Sequence, residues 1–298
     1  MAGNSAVLSF DRLSNKVTLS HISWIMVILK SLIVGYLLFL IVKGYAGLHF
    51  DKTFVQFIII GFVAEIVDGA LGMAYGVSCT SLLLHFGIPA KLATASVHAS
   101  EIFTTGVSGL SHIKFDNIDK KLFFQLLITG SIGAILGAYL ISDIFNGSAV
   151  KPFVSFYLII LGFYILSKAF KKKMAQEKEI KFAPALAFIG GLLDTIGGGG
   201  WGPIVTTNLL SQGKNPRQAI GTVNTAEFFV TYFATAVFIF ILGIQHLQIV
   251  LGLIIGGVIA APFGAYLASK INQRILLILV GILITVVSLS TLLPAILS

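Results

Sequence analysis

Apolar runs of about 20 residues recur along this chain from residue 23 to residue 298, and they constrain it more than any motif does. A run of that length matches the thickness of a hydrocarbon core. Inside lipid no water pairs with backbone N–H and C=O groups, so such segments must be helices or a closed barrel. The runs are continuous rather than alternating, which selects helices. Only 11% of the 298 residues are charged, against about 25% in soluble domains. The chain therefore cannot clothe a water-facing surface, and the spans leave no stretch long enough for a separate soluble domain.

The net charge of +8 does not point to nucleic acid. The basic residues fall between apolar runs, where orientation in a bilayer places them. Cys79 is the single cysteine, so no intramolecular disulfide forms, and no metal spacing or cofactor motif is legible. Residues 1–22 carry Asp11 and Arg12 and lack a cleavage pattern, so they are read as a cytoplasmic tail rather than a signal peptide.

The chain is duplicated. Shifted by 126 residues, 68–105 aligns without a gap on 194–231, with twelve of 38 positions identical. The identities include Asp68/Asp194, Gly72/Gly198, Gly76/Gly202, Gly87/Gly213 and Glu101/Glu227. Apolar composition alone would not align acids and turn glycines. Each half opens with an apolar stretch (53–67, 183–193), an Asp, a glycine cluster, and a second short apolar stretch (77–86, 204–210). Neither piece reaches about 20 residues, which is the pattern of a broken or re-entrant helix pair. Three spans follow in each half, at 91–112, 121–143 and 150–169, then at 217–243, 246–269 and 273–297. The expected fold is all-α and membrane-embedded. A tail and leading helix (1–49) precede a first repeat (50–169), a basic cytoplasmic linker (170–181) and a second repeat (182–298).

Charge decides whether the short pair crosses or returns. If it returns, 15 Lys and Arg lie on the cytoplasmic side and four outside, with Lys30 inside the leading helix. If it crosses once, the division is 11 to eight. The returning arrangement fits the positive-inside rule far better. It also gives each half an odd number of crossings, which makes the halves inverted.

Several residues could carry function. Helices that start after the breaks at 68–76 and 194–203 would present free N–H groups and a positive dipole end. Gly72, Gly76, Gly198, Gly199 and Gly200 would let an anion approach that backbone. For Gly133 and Gly137 tight helix packing is the better reading. Thr94, His98, Glu101, Thr105, Ser108 and His112 form one helical face, repeated as Asn224, Glu227, Thr231 and Thr235. Intramembrane carboxylates cost at least about 2.5 kcal/mol if they face lipid, so these stripes face protein or water. They line a pathway or bond the bundle together. Glu101 and Glu227 are expected to orient the tips through Tyr75 and Trp201.

Asp68 and Asp194 either cap loop amides, stay protonated, or couple a proton to transport. Lys91 and Arg217 are basic funnels or simply snorkel, as Lys30 is expected to. Met73 and Cys79 place soft sulfur at one tip, although a lone Cys is more often just small and buried. Lys and Arg fall only at the ends of the repeated spans and none in their interiors, so an anion would be held by helix ends and neutral donors. The expected site lies between 72–76 and 198–202, with His98 and Asn224 as side-chain donors, and bulk at Gly199 should weaken it without unfolding the chain.

At these residues the chain resembles the TauE/SafE family, the sulfite-exporter or organosulfur anion-permease group. The resemblance rests on Gly-Phe-Val-Ala-Glu-Ile-Val-Asp-Gly-Ala-Leu-Gly-Met-Ala-Tyr-Gly (61–76), Ala-Ser-Val-His-Ala-Ser-Glu (95–101), the break at 194–203, and Gly-Thr-Val-Asn-Thr-Ala-Glu-Phe-Phe (221–229). It implies a multi-pass bacterial plasma-membrane transporter, an exporter of sulfite, a sulfonate or a related organosulfur anion, by alternating access. It implies no enzyme and no cofactor or metal. A homodimer is compatible with it. A passive anion channel would share every feature, and a membrane-embedded enzyme using Cys79, His98 and a carboxylate is the other rival.

The charge count carries its own test. Cysteines in the turns at Gly87 and Gly213 should label from opposite sides of oriented vesicles with an impermeant maleimide. Equal labelling from outside would sink the inverted arrangement.

Overall fold

The computed structural model describes residues 10, 12–43, 51–71, 73–145, 147–170, 182–243, 247–270 and 272–297, and every regular element among them is helical. Gly72 and residues 171–181 of the expected linker lie outside the described residues. The leading helix α1 (Leu19–Val42) starts at a capping box, in which Thr18 and His21 satisfy each other's amides. Next come α2 (Lys52–Leu71), α3 (Tyr75–His85), α4 (Ala90–Lys114), α5 (Lys120–Tyr139, ending in a π turn at Leu140–Ile144) and α6 (Gly147–Ala169). The second half repeats the order with α7 (Ala183–Gly197), a π turn at Gly202–Thr206 leading into α8 (Thr207–Ser211), α9 (Pro216–Leu242), α10 (Leu247–Lys270) and α11 (Gln273–Leu297).

By length and composition five of these helices can cross a bilayer: α1, α5 with its π turn, α6, α9 and the stretch 277–294 of α11. Helix α4 is just as long, but its stripe of His, Glu, Ser and Thr lowers its hydropathy. That stripe is buried: Thr94, His98 and Glu101 all face protein. The outward faces are apolar, with Phe153, Phe156, Ile160 and Phe163 of α6 all more than half exposed. In water this would be unstable, whereas in lipid it is the expected solvent boundary.

Two details differ from the sequence reading. Helix α2 does not stop near Val67 but runs through Asp68 to Leu71, a full 20 residues. Asp68 is therefore the last turn of a helix rather than the start of a loop. Lys30, about 16 Å along α1 from Leu19, has a partner the sequence did not show: its Nζ lies 5.9 Å over the Phe103 ring of α4.

Helix pairs are joined through small residues. Helix α2 packs on α10, α5 on α7, α4 on α9 and α6 on α11. Exchanging the first-half helices for their second-half counterparts leaves this set of pairs unchanged. At α5–α7 the contact is backbone to backbone: a β-carbon on Gly133 would collide with the Phe188 carbonyl, and one on Gly191 would collide with that of Gly130. Without a hydrophobic drive between helices in lipid, such close approach supplies the packing energy.

Contacts between helix ends sort them into two faces. Lys214 Nζ, just after α8, donates to Asp119 Oδ2 at 2.6 Å ahead of α5. Arg274, in the first turn of α11, lies over the Phe170 ring at the end of α6. At the other face Gln248 donates to Asp51, the Ser290 hydroxyl lies 3.1 Å from His85, and Lys91 Nζ donates to Ser142 O at 2.8 Å. Asp51 precedes α2 and His85 ends α3, so both ends of that short pair contact second-half helices, α10 and α11. Gly87 and Gly213 both have φ of 87°, where a side chain is strained. Labelling cysteines therefore belong at Phe86 and Ser211, both exposed.

Asp119 also caps Leu122 N at 3.0 Å. Burial pushes its carboxyl up, but the Lys214 ammonium and the Leu122 amide outweigh this and hold it below the ordinary value. A depressed carboxyl stabilises the fold above its unfolded pKa and loses that contribution as pH falls through its folded value. The pair is partly exposed, so Lys214→Met should cost about 0.5–1 kcal/mol near neutral pH. The difference from the parent in apparent Tm in detergent should shrink below about pH 4.

Candidate functional site

The two helix breaks meet at the centre of the bundle. At the first, Asp68 Oδ1 accepts from the amides of Ala74 at 2.6 Å and Tyr75 at 3.0 Å. At the second, Asp194 Oδ1 accepts from the amide of Trp201 at 2.9 Å. Tyr75 and Trp201 are equivalent across the 126-residue shift, so both acids cap the N-terminus of the short helix that follows them. Chain reversal at the second break uses three glycines with positive φ, at 67°, 150° and 153° for Gly198, Gly199 and Gly200. The Gly199 amide closes on Asp194 O at 2.9 Å. Its stranded carbonyls find side chains from other helices: Thr80 Oγ1 donates to Gly198 O, and Tyr157 OH donates to Gly199 O at 3.1 Å.

Pro203 has no N–H, and the chain widens there into the π turn. Thr207 Oγ1 donates to Pro203 O, and Asn208 Nδ2 donates to Ile204 O at 2.6 Å, which satisfies the loosened carbonyls.

The breaks touch each other directly. A β-carbon on Gly76 would lie 3.1 Å from Gly199 Cα, and one on Gly199 would collide with the Val77 nitrogen. Beside this seam lies a cavity of about 20 Å³, enough for a water or a small ion. Four carboxylates line it, Asp68, Glu101, Asp194 and Glu227, and among the described residues no Lys or Arg does. Glu101 is 4% exposed, and its Oε2 has no hydrogen-bond partner.

Behind the cavity His98 is fully buried. Its Nδ1 lies 2.8 Å from Thr94 O, and a carbonyl only accepts, so Nδ1 carries the hydrogen. Nε2 is thereby aimed at Asp194 Oδ2, 3.1 Å away. One donor atom each from His98, Glu101 and Asp194 lies within 4.8 Å of the others.

The profile of the sulfite exporter TauE/SafE family matches residues 57–291. The chain belongs to that family. It is 46% identical over 250 residues, 81% of this chain and 83% of the relative, to "Probable membrane transporter protein YtnM" of Bacillus subtilis (strain 168). To "Probable membrane transporter protein YunE" of the same organism it is 20% identical over 263 residues, 77% of this chain and 96% of that one. No solved structure matches. This TauE/SafE member is thus a multi-pass membrane transporter rather than an enzyme, and the enzyme reading built on Cys79 and His98 falls away.

Of the residues singled out from the sequence of this TauE/SafE chain, Asp68, Met73, Tyr75, Gly76, Glu101, Asp194, Gly200 and Glu227 line the cavity. Gly198 and Gly199 form the seam under it. Cys79 is buried on α3 and is not on the cavity wall.

Four expectations are corrected. The Tyr75 hydroxyl donates to Leu253 O and the Trp201 indole lies 3.4 Å from Val223 O, so neither ring serves Glu101 or Glu227. Asn224 gives one Nδ2 hydrogen to Ser108 Oγ at 2.8 Å, and it is not among the residues of the cavity wall. The amides of Ala74, Tyr75 and Trp201 are committed to Asp68 and Asp194 rather than open to an anion. Bulk at Gly199 cannot leave the fold intact, because its φ and its contact with Val77 both exclude a side chain.

Glu65 was passed over in the sequence. It is buried on α2 one turn before Asp68, and its Oε2 also lacks a partner. A carboxylate within an apolar run was the available signal. Thr80 and Tyr157 were also missed, because no spacing reports a carbonyl stranded more than 40 residues away.

Asp194→Ala would leave the Trp201 amide and His98 buried without their partner. That should cost about 2–4 kcal/mol. Asp194→Asn keeps a carbonyl for the Trp201 amide and should lose less than half as much. Apparent Tm of the purified variants measures both.

Proposed function

We propose that this protein carries a small sulfur-containing anion, such as sulfite or a sulfonate, across the membrane by alternating access around the cavity between the two breaks. The observation that carries the reading is the convergence of two capped helix N-termini, one from each half, on a single small polar cavity inside an otherwise apolar bundle. The sulfur chemistry comes from the name of the family, the sulfite exporter TauE/SafE family.

The halves, 50–169 and 182–298, are read as inverted repeats joined by the basic linker 170–181 and preceded by the tail and leading helix 1–49. The exchange-symmetric helix pairing supports this. So does the contact of Lys214 with Asp119, since a single crossing by α7 and α8 would put those ends on opposite sides of the membrane. The partners are then the anion and the bilayer, with a homodimer as the assembly to look for.

The four carboxylates set a condition on the cargo. An anion enters an acidic chamber only when protons or a bound cation have neutralised it. The helix N-terminal dipoles then favour negative charge, and no Lys or Arg on the wall holds it too tightly to release.

Reconstituted proteoliposomes loaded with labelled sulfite provide the test, with sulfonates, thiols and carboxylates as competitors. Saturable flux with counterflow, competed by sulfonates but not by simple carboxylates, is the expected outcome. Linear flux without counterflow would make the protein an anion channel, and absence of flux for every sulfur anion would reject the substrate class.

A further inference from the structure

Four carboxylates line about 20 Å³ of space with no cationic side chain among the described residues of the wall, and the His98 imidazole stands behind it against Asp194, so the site invites positive charge. The geometry points to His98, Glu101 and Asp194 as the ligands of a divalent transition-metal ion.

The donors come from two helices, α4 and α7, and all three residues are buried. His98 Nε2 and Asp194 Oδ2 are 3.1 Å apart. Two atoms each about 2.1 Å from one ion stand roughly 3.0–3.4 Å apart in octahedral or tetrahedral coordination. Glu101 supplies a second, independent observation. Its side chain is more than nine-tenths buried and lines the cavity, yet Oε2 has no partner, an arrangement that costs stability unless something occupies the space in front of it.

Supporting contacts match those of metal ligands. His98 gives its other ring N–H to Thr94 O, which fixes the ring and leaves Nε2 as the donor. The second oxygen of Asp194 is held by the Trp201 amide. Phe238, 5.9 Å from the His98 ring, provides an apolar wall. Asp68 and Glu227 complete the cavity and bring further negative charge to it.

One nitrogen and two oxygen donors, without thiolate, suit Zn²⁺, Mn²⁺, Fe²⁺ or Co²⁺ rather than Cu⁺, and the imidazole disfavours Mg²⁺ and Ca²⁺. Cys79 takes no part. An ion here ties α4 of the first half to the break of the second. Its charge offsets that of the two carboxylates it binds. The inference does not depend on which anion is carried.

The test is direct binding to purified full-length protein in detergent, stripped with a chelator and titrated with Co²⁺. The expected result is one Co²⁺ per chain, with visible d–d bands that Zn²⁺ abolishes and a rise in apparent Tm. His98→Ala should remove the bands. Glu101→Gln, which breaks no hydrogen bond of Oε2, should weaken binding at least about tenfold while the protein stays monodisperse. Cys79→Ala should bind as the parent does. No bands and no Tm shift in the parent would overturn the inference. Equal Co²⁺ binding by the parent and Glu101→Gln would also overturn it, by placing the metal elsewhere.

Discussion

A helix broken inside a bilayer strands amides and carbonyls where water cannot pair with them, and each one left unpaired costs several kcal/mol. The centre of this transporter is organised by that constraint. Asp68 and Asp194 absorb the stranded donors, while Thr80 and Tyr157 absorb the stranded acceptors of the glycine run. The side chains that heal the second break come from α3, α6 and α7 as well as from α8. The break can therefore persist only when the bundle is assembled around it.

The same solution creates the electrostatic character of the cavity. Capping a helix end with a carboxylate is favourable for the helix, but it uses amides that an anion would otherwise bind. Here two such caps stand beside Glu101 and Glu227, and the wall becomes acidic. The donor potential that glycine-rich breaks suggest is thus largely consumed internally. If the cargo is the proposed anion, its recognition works through the charge state of the acids, with the helix dipoles behind them. His98 belongs to this system as the partner of Asp194 rather than as a free donor.

Much of the architecture was legible in the residues. Continuous apolar runs gave the helices, and aligned Asp and Gly positions gave the breaks, because both follow from local chain physics. Boundaries drifted where propensity was overruled. Helix α2 carries on past Asp68 because the acid can serve as its last turn while capping the next helix. Pro203 leads not to a plain helix start but to a π turn, made affordable by Thr207 and Asn208. At the site, acids and glycines were findable because charge and broken helices are anomalous in lipid. Their partners were not, since Thr80, Tyr157 and Ser108 are ordinary residues whose roles depend on what lies opposite.

By itself, then, the sequence determined that the chain is a helical membrane protein, where its helices break, and which acidic residues lie in lipid-depth segments, because hydrophobicity, helix length and glycine are properties of neighbouring residues. The tertiary structure decided which amide each acid caps, that Gly76 and Gly199 meet without a gap, and that His98, Glu101 and Asp194 share one buried corner. The caps close over six or seven residues but across a chain reversal, while Gly76 and Gly199, or His98 and Asp194, stand about 100 positions apart or more. Their energy comes from close approach, and nothing local in the chain encodes which surfaces will approach.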